Sequence, residues 1–253
     1  MPNSIVEREI QTQQRIVKAL RREIFGVDKT NRSRYIRDFL AEMRSYRRIC
    51  GRDEIVGRAL RSDIVYFGDY HPLDASQTLA LELVGALAGA GAPVVLALEV
   101  LYEHQQETLD RWMKGTISER EFLKAIDYES EWGFDWRSFR RLFEAARDPF
   151  VPIFGIDSPP RDQLRFIRRR DRMIARRIGT IRRFFPGHIV FVVIGESHLA
   201  SGHLPAEVRA LAGDAPRTTT IVQNIDELAW RLQREGRADA AAVEIDAGRF
   251  CFF

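Results

Sequence analysis

Cysteine is scarce in this chain: Cys50 and Cys251 are the only two in 253 residues, and they stand far apart in no spacing motif. That excludes a disulfide framework and a thiolate metal site, and it suits a reducing compartment. Long apolar runs are missing too. The longest, Ile189 to Ile194, is strand-sized and falls well short of the roughly 18–20 residues of a membrane span, so no transmembrane segment is expected. The opening MPNSIVEREIQTQQRIVKALRREIF is charged throughout, with no apolar stretch leading to a small-residue cleavage site. It therefore reads as neither signal peptide nor lipobox, and the expected location is cytoplasmic. Charge of one sign is lacking as well. The 39 Lys and Arg against 36 Asp and Glu leave +3, which demands no nucleic-acid partner. No fixed-period repeat or low-complexity linker occurs. There is no G-x-S-x-G elbow, P-loop or G-x-G-x-x-G, which removes common hydrolase, nucleoside-triphosphatase and dinucleotide readings.

What is present divides at about residue 60. Residues 1–60 read as a helical N-terminal arm: Ile5, Ile10 and Ile16 recur at near-helical spacing, and a second amphipathic stretch runs from about Arg32 to Arg48. Twelve basic against six acidic residues in positions 1–50 make the arm basic, as a solvated pair of helices or a membrane-surface or partner-binding element would be. Residues 61–253 alternate short apolar runs with helical stretches. The runs are IVYFG (64–68), VVLALEV (94–100), VPIFGID (151–157), IVFVVIGE (189–196) and TTTIVQ (218–223). Helical patterns fill 74–90, 103–147 in pieces, 160–184 and 225–236. This predicts an α/β domain: a mostly parallel central sheet flanked by helices, with strand C-termini on one edge. Residues around Asp246–Gly248 suggest an antiparallel C-terminal hairpin at one sheet edge. The final Phe252 and Phe253 suggest that the native chain continues.

Polar residues gather where four of these strands end. The first run closes in Gly68-Asp69-Tyr70-His71, the second at Glu99, the third at Asp157, the fourth in Gly195-Glu196-Ser197-His198. Ligands of parallel α/β sheets bind outside the carboxyl ends of the strands, where loops converge. A carboxylate closing VVLAL is costly near a core without a partner. The repeated element (strand, Gly, acid, one residue, His) therefore predicts one pocket suited to a metal ion or to acid/base chemistry. His188, at the start of its strand, falls at the wrong end. His104 and His203 lie on the correct edge. Ser197 is an unsuitable nucleophile, because neighbours on extended chain point oppositely. Ten arginines lie between Arg161 and Arg183, above a buried stripe of Phe166, Met173, Ile174 and Ile178. Arg161 and one or two of Arg168, Arg169 and Arg170 are candidates to face the pocket and grip a carboxylate or phosphate, with Asp171 orienting one of them. The strip lacks the interleaved aromatics of a single-strand nucleic-acid groove.

With GDYH (68–71), GESH (195–198), Glu99 in LALEV, QQETLDRWMKGTISEREFL (105–123), Trp132, Trp136, GIDSPPR (155–161) and RDRMIARRI (170–178), the chain resembles the ChaN-like haem-binding proteins. These form part of the Tiki superfamily, with TraB-type and erythromycin-esterase-like members. The resemblance implies an α/β core with a pocket at the G-x-x-H edge. For Tiki-like members it implies a divalent metal (Mn, Co or Zn) held by the two histidines and the glutamate for hydrolysis. For ChaN-like members it implies haem, held between subunits of a homodimer. By motif position His71, Glu99 and His198 become the metal set, with Glu196 and Asp69 beside them. The first motif has Asp69 where relatives tend to have Glu, and Asp serves equally as an oxygen ligand. Tyr70 and Tyr102 are candidate haem ligands on chemistry alone, and Arg161 is a candidate for the propionates. Two functions follow. The leading one is a haem- or metal-ion-binding protein using His71, His198, Tyr70 and Arg161. The alternative is a metal-dependent hydrolase of a small molecule or peptide, with Glu196 or Asp69 as general base.

Overall fold

The apolar runs form strands where their β-branched content favours them, and alternate side chains divide between two faces that are both covered. In the computed structural model, which describes residues 4–27, 31–147, 151–161 and 167–253, eight strands make one sheet in the order β1-β7-β8-β6-β2-β5-β3-β4. They are β1 (Arg48–Cys50), β2 (Ile64–Asp69), β3 (Val94–Tyr102), β4 (Ile153–Asp157), β5 (Ile189–Gly195), β6 (Thr218–Gln223), β7 (Ala242–Asp246) and β8 (Arg249–Phe252). The pairs β2–β5, β2–β6, β3–β5, β3–β4 and β6–β8 are parallel, while β7–β8 and β1–β7 are antiparallel. The mostly parallel α/β expectation holds, including the C-terminal hairpin. The hairpin is not the sheet edge, however. Arg48, Ile49 and Cys50 pair with Glu244, Val243 and Ala242, so a strand from the otherwise helical N-terminal stretch covers β7. Three residues are too few to carry a legible strand pattern.

On one face, Val65, Phe67, Leu96, Leu98, Phe191 and Val193 meet Leu83 and Leu87 of α4 (Asp74–Gly89) and Phe139 and Phe143 of α8 (Trp136–Ala145). Between β3 and β4 the 103–147 stretch breaks into short helices, as expected. Among them are α5 (Gln106–Met113), α6 (Glu119–Ala125), begun by a reciprocal Ser118–Glu121 capping box, and α7 (Tyr128–Glu131). On the other face, Tyr66, Val95, Val190 and Val192 meet α9 (Ile167–Phe184) through Ile174, Ile178 and Ile181. Also there are α10 (Leu204–Leu211), α11 (Asp226–Arg234) and α2 (Asn31–Glu42), which inserts Phe39, with Met43 following just past its end. Helix α1 (Ser4–Val27) buries Ile10 and leaves Ile5 and Ile16 exposed. Helix α3 (Arg52–Ala59) buries Ile55 on the first face. Phe166, assigned above to the buried stripe of α9, lies outside the described residues. Because β2, β5, β3 and β4 are parallel neighbours, their C-terminal ends form one contiguous rim.

Candidate functional site

The rim is occupied by a connected chain of ionisable groups. Asp69, the last residue of β2, is buried, and its Oδ1 accepts from Ser76 Oγ at 2.7 Å and Gln77 Nε2 at 2.6 Å, both on α4. Its Oδ2 receives His71 Nδ1 at 2.7 Å, which fixes that ring's tautomer because a carboxylate only accepts. The ring leans on Trp132, 4.4 Å between centroids, and Phe134 at 5.2 Å. Its Nε2 points toward Glu99 Oε2, 3.7 Å away.

Across Glu99 the arrangement repeats. His198 sits in a short 3₁₀ turn after β5, and its Nδ1 donates to Asp171 Oδ1 at 2.5 Å while Nε2 lies 3.4 Å from Glu99 Oε1. Asp171 and Arg170 fall on the buried stripe of α9, near its start, which brings both to the rim. Arg170 donates to both oxygens of Asp157 at 2.9 and 2.8 Å and to Glu99 Oε1 at 2.8 Å. Glu99 Oε2 accepts the Gly195 N–H at 2.6 Å. A Cβ on Gly195 would lie 3.3 Å from His71 Nε2 and 3.4 Å from Glu99 Oε2, so this motif glycine supplies room for the contact. Arg161 lies flat between Tyr102 and Trp132, with its guanidinium 4.4 and 4.5 Å from the ring centroids. It also bonds Asp157 Oδ2 and the carbonyls of Glu131 and Glu99.

Burial by itself would push the Glu99 carboxyl up. The neighbouring His198, Arg170 and His71 outweigh burial and hold it well below the usual carboxylate range. Burial would likewise push His198 down, but Asp171 and Glu99 outweigh that and raise it to about 10. At neutral pH the centre is thus an imidazolium and a guanidinium around carboxylates, and most of its polar atoms are satisfied internally. The exceptions are Gln77 Oε1, Trp132 Nε1 and Asp171 Oδ2, the last lying beside the Tyr35 phenol.

The structure brings His71, Glu99 and His198 together, as their motifs imply. It also corrects two details. Asp171 orients His198 rather than an arginine, because its position on α9 aims it at the β5 end. As placed, the three residues do not fit a divalent ion. The Glu99 oxygens are taken by Arg170 and the Gly195 N–H, and His198 Nε2 is turned to Glu99 Oε1 at 3.4 Å. Among the described residues no group of three or more His, Cys, Asp or Glu is arranged to hold a metal. The space between Asp69, His71, Glu99, Trp132 and Phe139 does not admit a water-sized sphere.

Of the other candidates, Tyr70 is 52% exposed at the rim and Glu196 is half-buried beside Gly68 and Val222. Of the arginines, only Arg170 joins Arg161 at the rim, while Arg168 and Arg169 face solvent. His104 stacks on Tyr102 (5.4 Å), and His203 bonds the Ser197 carbonyl and Asp38. Sequence reasoning missed Ser76, Gln77 and Tyr35. The last is a buried residue of α2 that stacks on His203 (3.7 Å) and meets His198 edge-on at 6.3 Å. An aromatic on a helical arm carries no signal for such a role. The seven-residue spacing from Asp69 to Ser76, one turn into the next helix, could have suggested the other two.

Residues 55–170 match the family described as haem-binding uptake, Tiki superfamily, ChaN, so the resemblance carried by the motifs holds. No curated protein matches in sequence. Among solved structures, the fold is similar to that of ChaN of Campylobacter jejuni, a protein described as binding haem cofacially. The TM-score is 0.55 at 13% identity, over 69% of this chain and 86% of that one. It is also similar to the C-terminal region of Pasteurella multocida toxin, described as having a thiol-protease-like catalytic triad. There the TM-score is 0.52 at 15% identity, over 70% of this chain and 25% of the toxin chain. Both likenesses concern the fold. Here burial pushes the thiols of Cys50 and Cys251 up to about 11 and about 12.

Proposed function

We propose that this chain, which carries the ChaN-like haem-binding uptake signature of the Tiki superfamily over residues 55–170, binds haem at the rim beside β2. The observation that carries the reading is the contrast within the GDYH motif. Asp69 is buried and holds His71 Nδ1, while the adjoining Tyr70 is 52% exposed and Leu73, two residues past His71, is 43% exposed. A phenol and an apolar side chain together on a solvent-facing rim suit one face of a flat macrocycle. A closed interior suits it not at all, and His198, 3% exposed, lies too deep to reach it.

When bound, haem would supply an iron centre open to an axial oxygen or nitrogen ligand. Tyr70 is the residue to provide that ligand, and Leu73 would lie against the ring. His71 is held by Asp69 through Nδ1 and turns Nε2 inward toward Glu99, so its part is to hold the loop that carries Tyr70. Arg161 is committed to Asp157 and to two carbonyls, so the propionates would find their partners elsewhere. An open rim leaves the second haem face uncovered, which favours a two-fold pairing of chains across it.

Haem titration followed by the Soret band tests this. Saturable binding by the wild type is expected, with a shifted band and at least tenfold weaker binding in Tyr70→Phe. His71→Ala should alter the spectrum more mildly. Absence of saturable binding, or a Soret band indifferent to both substitutions, would rule the reading out.

A further inference from the structure

Well away from the rim, a space of about 510 Å³ opens at the sheet edge between α5 and the start of β4. We propose that it is a second binding site, for an amphiphilic organic acid: one carboxylate on an apolar body. Its floor is apolar, made by Met113, Ile153, Phe154 and Phe185, and its size lies within the range of small-molecule pockets, about 300–1,000 Å³.

Its charges select the ligand's sign. Lys114 and Arg147 stand at the mouth. Neither side chain pairs with a carboxylate among the described residues. Arg147 is held 5.1 Å over the Trp112 ring, with Nη2 3.4 Å from the Trp112 carbonyl, and so is pre-positioned. Among the described residues the acid at the mouth is Asp110, which accepts the Gln106 amide at 2.9 Å. Among the described residues, two cations against one anion over an apolar floor favour a monoanion, because attraction strengthens where water is excluded.

The edge itself argues for a small molecule and against an added peptide strand. The Gln106 amide donates to the Ile153 carbonyl at 2.9 Å and accepts the Gly155 N–H at 3.1 Å. Those are the outward groups of β4 that an incoming strand would need. One side chain has sealed the ladder and left only the side-chain floor available.

Calorimetric titration with decanoate, decanol and decyltrimethylammonium, all below micelle formation, tests the site. Decanoate should bind one per chain, at least tenfold more tightly than either comparator. Lys114→Glu combined with Arg147→Glu, both at exposed positions, should remove that preference while the melting temperature holds. Met113→Trp should block the floor and abolish binding. Tyr70→Phe should leave decanoate binding unchanged, which separates this site from the haem reading. Equal binding of all three amphiphiles, or decanoate binding that survives both the charge reversal and Met113→Trp, overturns the proposal.

Discussion

A buried histidine flanked by two carboxylates has its charge decided by its neighbours. Asp171 and Glu99 raise His198 to about 10, above its ordinary value near 6.5. A group with a raised folded-state pKa contributes stability that is fully present below the unfolded value and is lost as pH rises through the folded one. The contribution of His198 is therefore complete below about pH 6.5 and fades toward pH 10. Glu99 runs the opposite way: its lowered carboxyl stabilises above the ordinary carboxylate value and loses that contribution only in acid. Urea unfolding of the wild type and His198→Gln at a series of pH values should give a difference that is constant near pH 5–6 and shrinks steadily above pH 7. In parallel, the His198 ring protons should show no titration step between pH 6 and 8. A step centred near 6.5 would show that the imidazolium reading is wrong.

At the scale of the element, the position of Glu99 depends on an irregularity in β3. Leu98 pairs with Gly155 and Tyr102 with Asp157, so four steps along β3 answer two along β4. The surplus is taken up between Glu99 and Tyr102, and Val100 and Leu101 both enter the first-face core in place of alternating. Gly155 makes this possible, since a Cβ there would come within 2.7 Å of the Tyr102 carbonyl and 2.9 Å of Leu101 Cβ. Backbone cannot yield as a flexible side chain can. Gly155→Ala should therefore cost about 1–3 kcal/mol in urea unfolding and weaken haem binding by disturbing Glu99 and Tyr102. An unchanged midpoint would show that the bulge is not held by this contact. This element also marks the limit of what sequence conveys. Near-continuous apolar runs located β2 to β6, and the acids and histidines ending them located the rim, because strand ends and parallel order follow from local pattern and chain handedness. The bulge, the pairing of Asp171 with His198, and β1 all arise from tertiary contact. They leave no periodic trace in GID, RRRD or RIC.

For the molecule as a whole, the consequential question is whether residues 1–60 are an appendage. Their contacts divide them. Helix α1 buries Ile10, and among the described residues its polar ties to the domain include Gln13 to Trp230 Nε1 at 2.8 Å and Glu7 to Arg234 at 3.0 Å, the latter a half-exposed pair of small worth. Beyond it, α2 and the residue after it place Phe39 and Met43 in the core, and Tyr35 lies over His198 and His203. Strand β1 covers the β7 edge, and α3 buries Ile55. Burying each of Phe39, Met43 and Ile55 is worth about 1.5–3 kcal/mol. Losing all three removes an amount comparable with the whole net stability of a domain, about 5–15 kcal/mol. Deletion of residues 1–27 should therefore give a folded, monodisperse protein with a lower melting temperature. Deletion of 1–60 should leave β7 as an open edge beside exposed core and give aggregated material. Size-exclusion chromatography and thermal melts of the two truncations decide it: a soluble, cooperatively melting 61–253 fragment would mean that the histidine rim is self-supporting and that α2 merely rests on it.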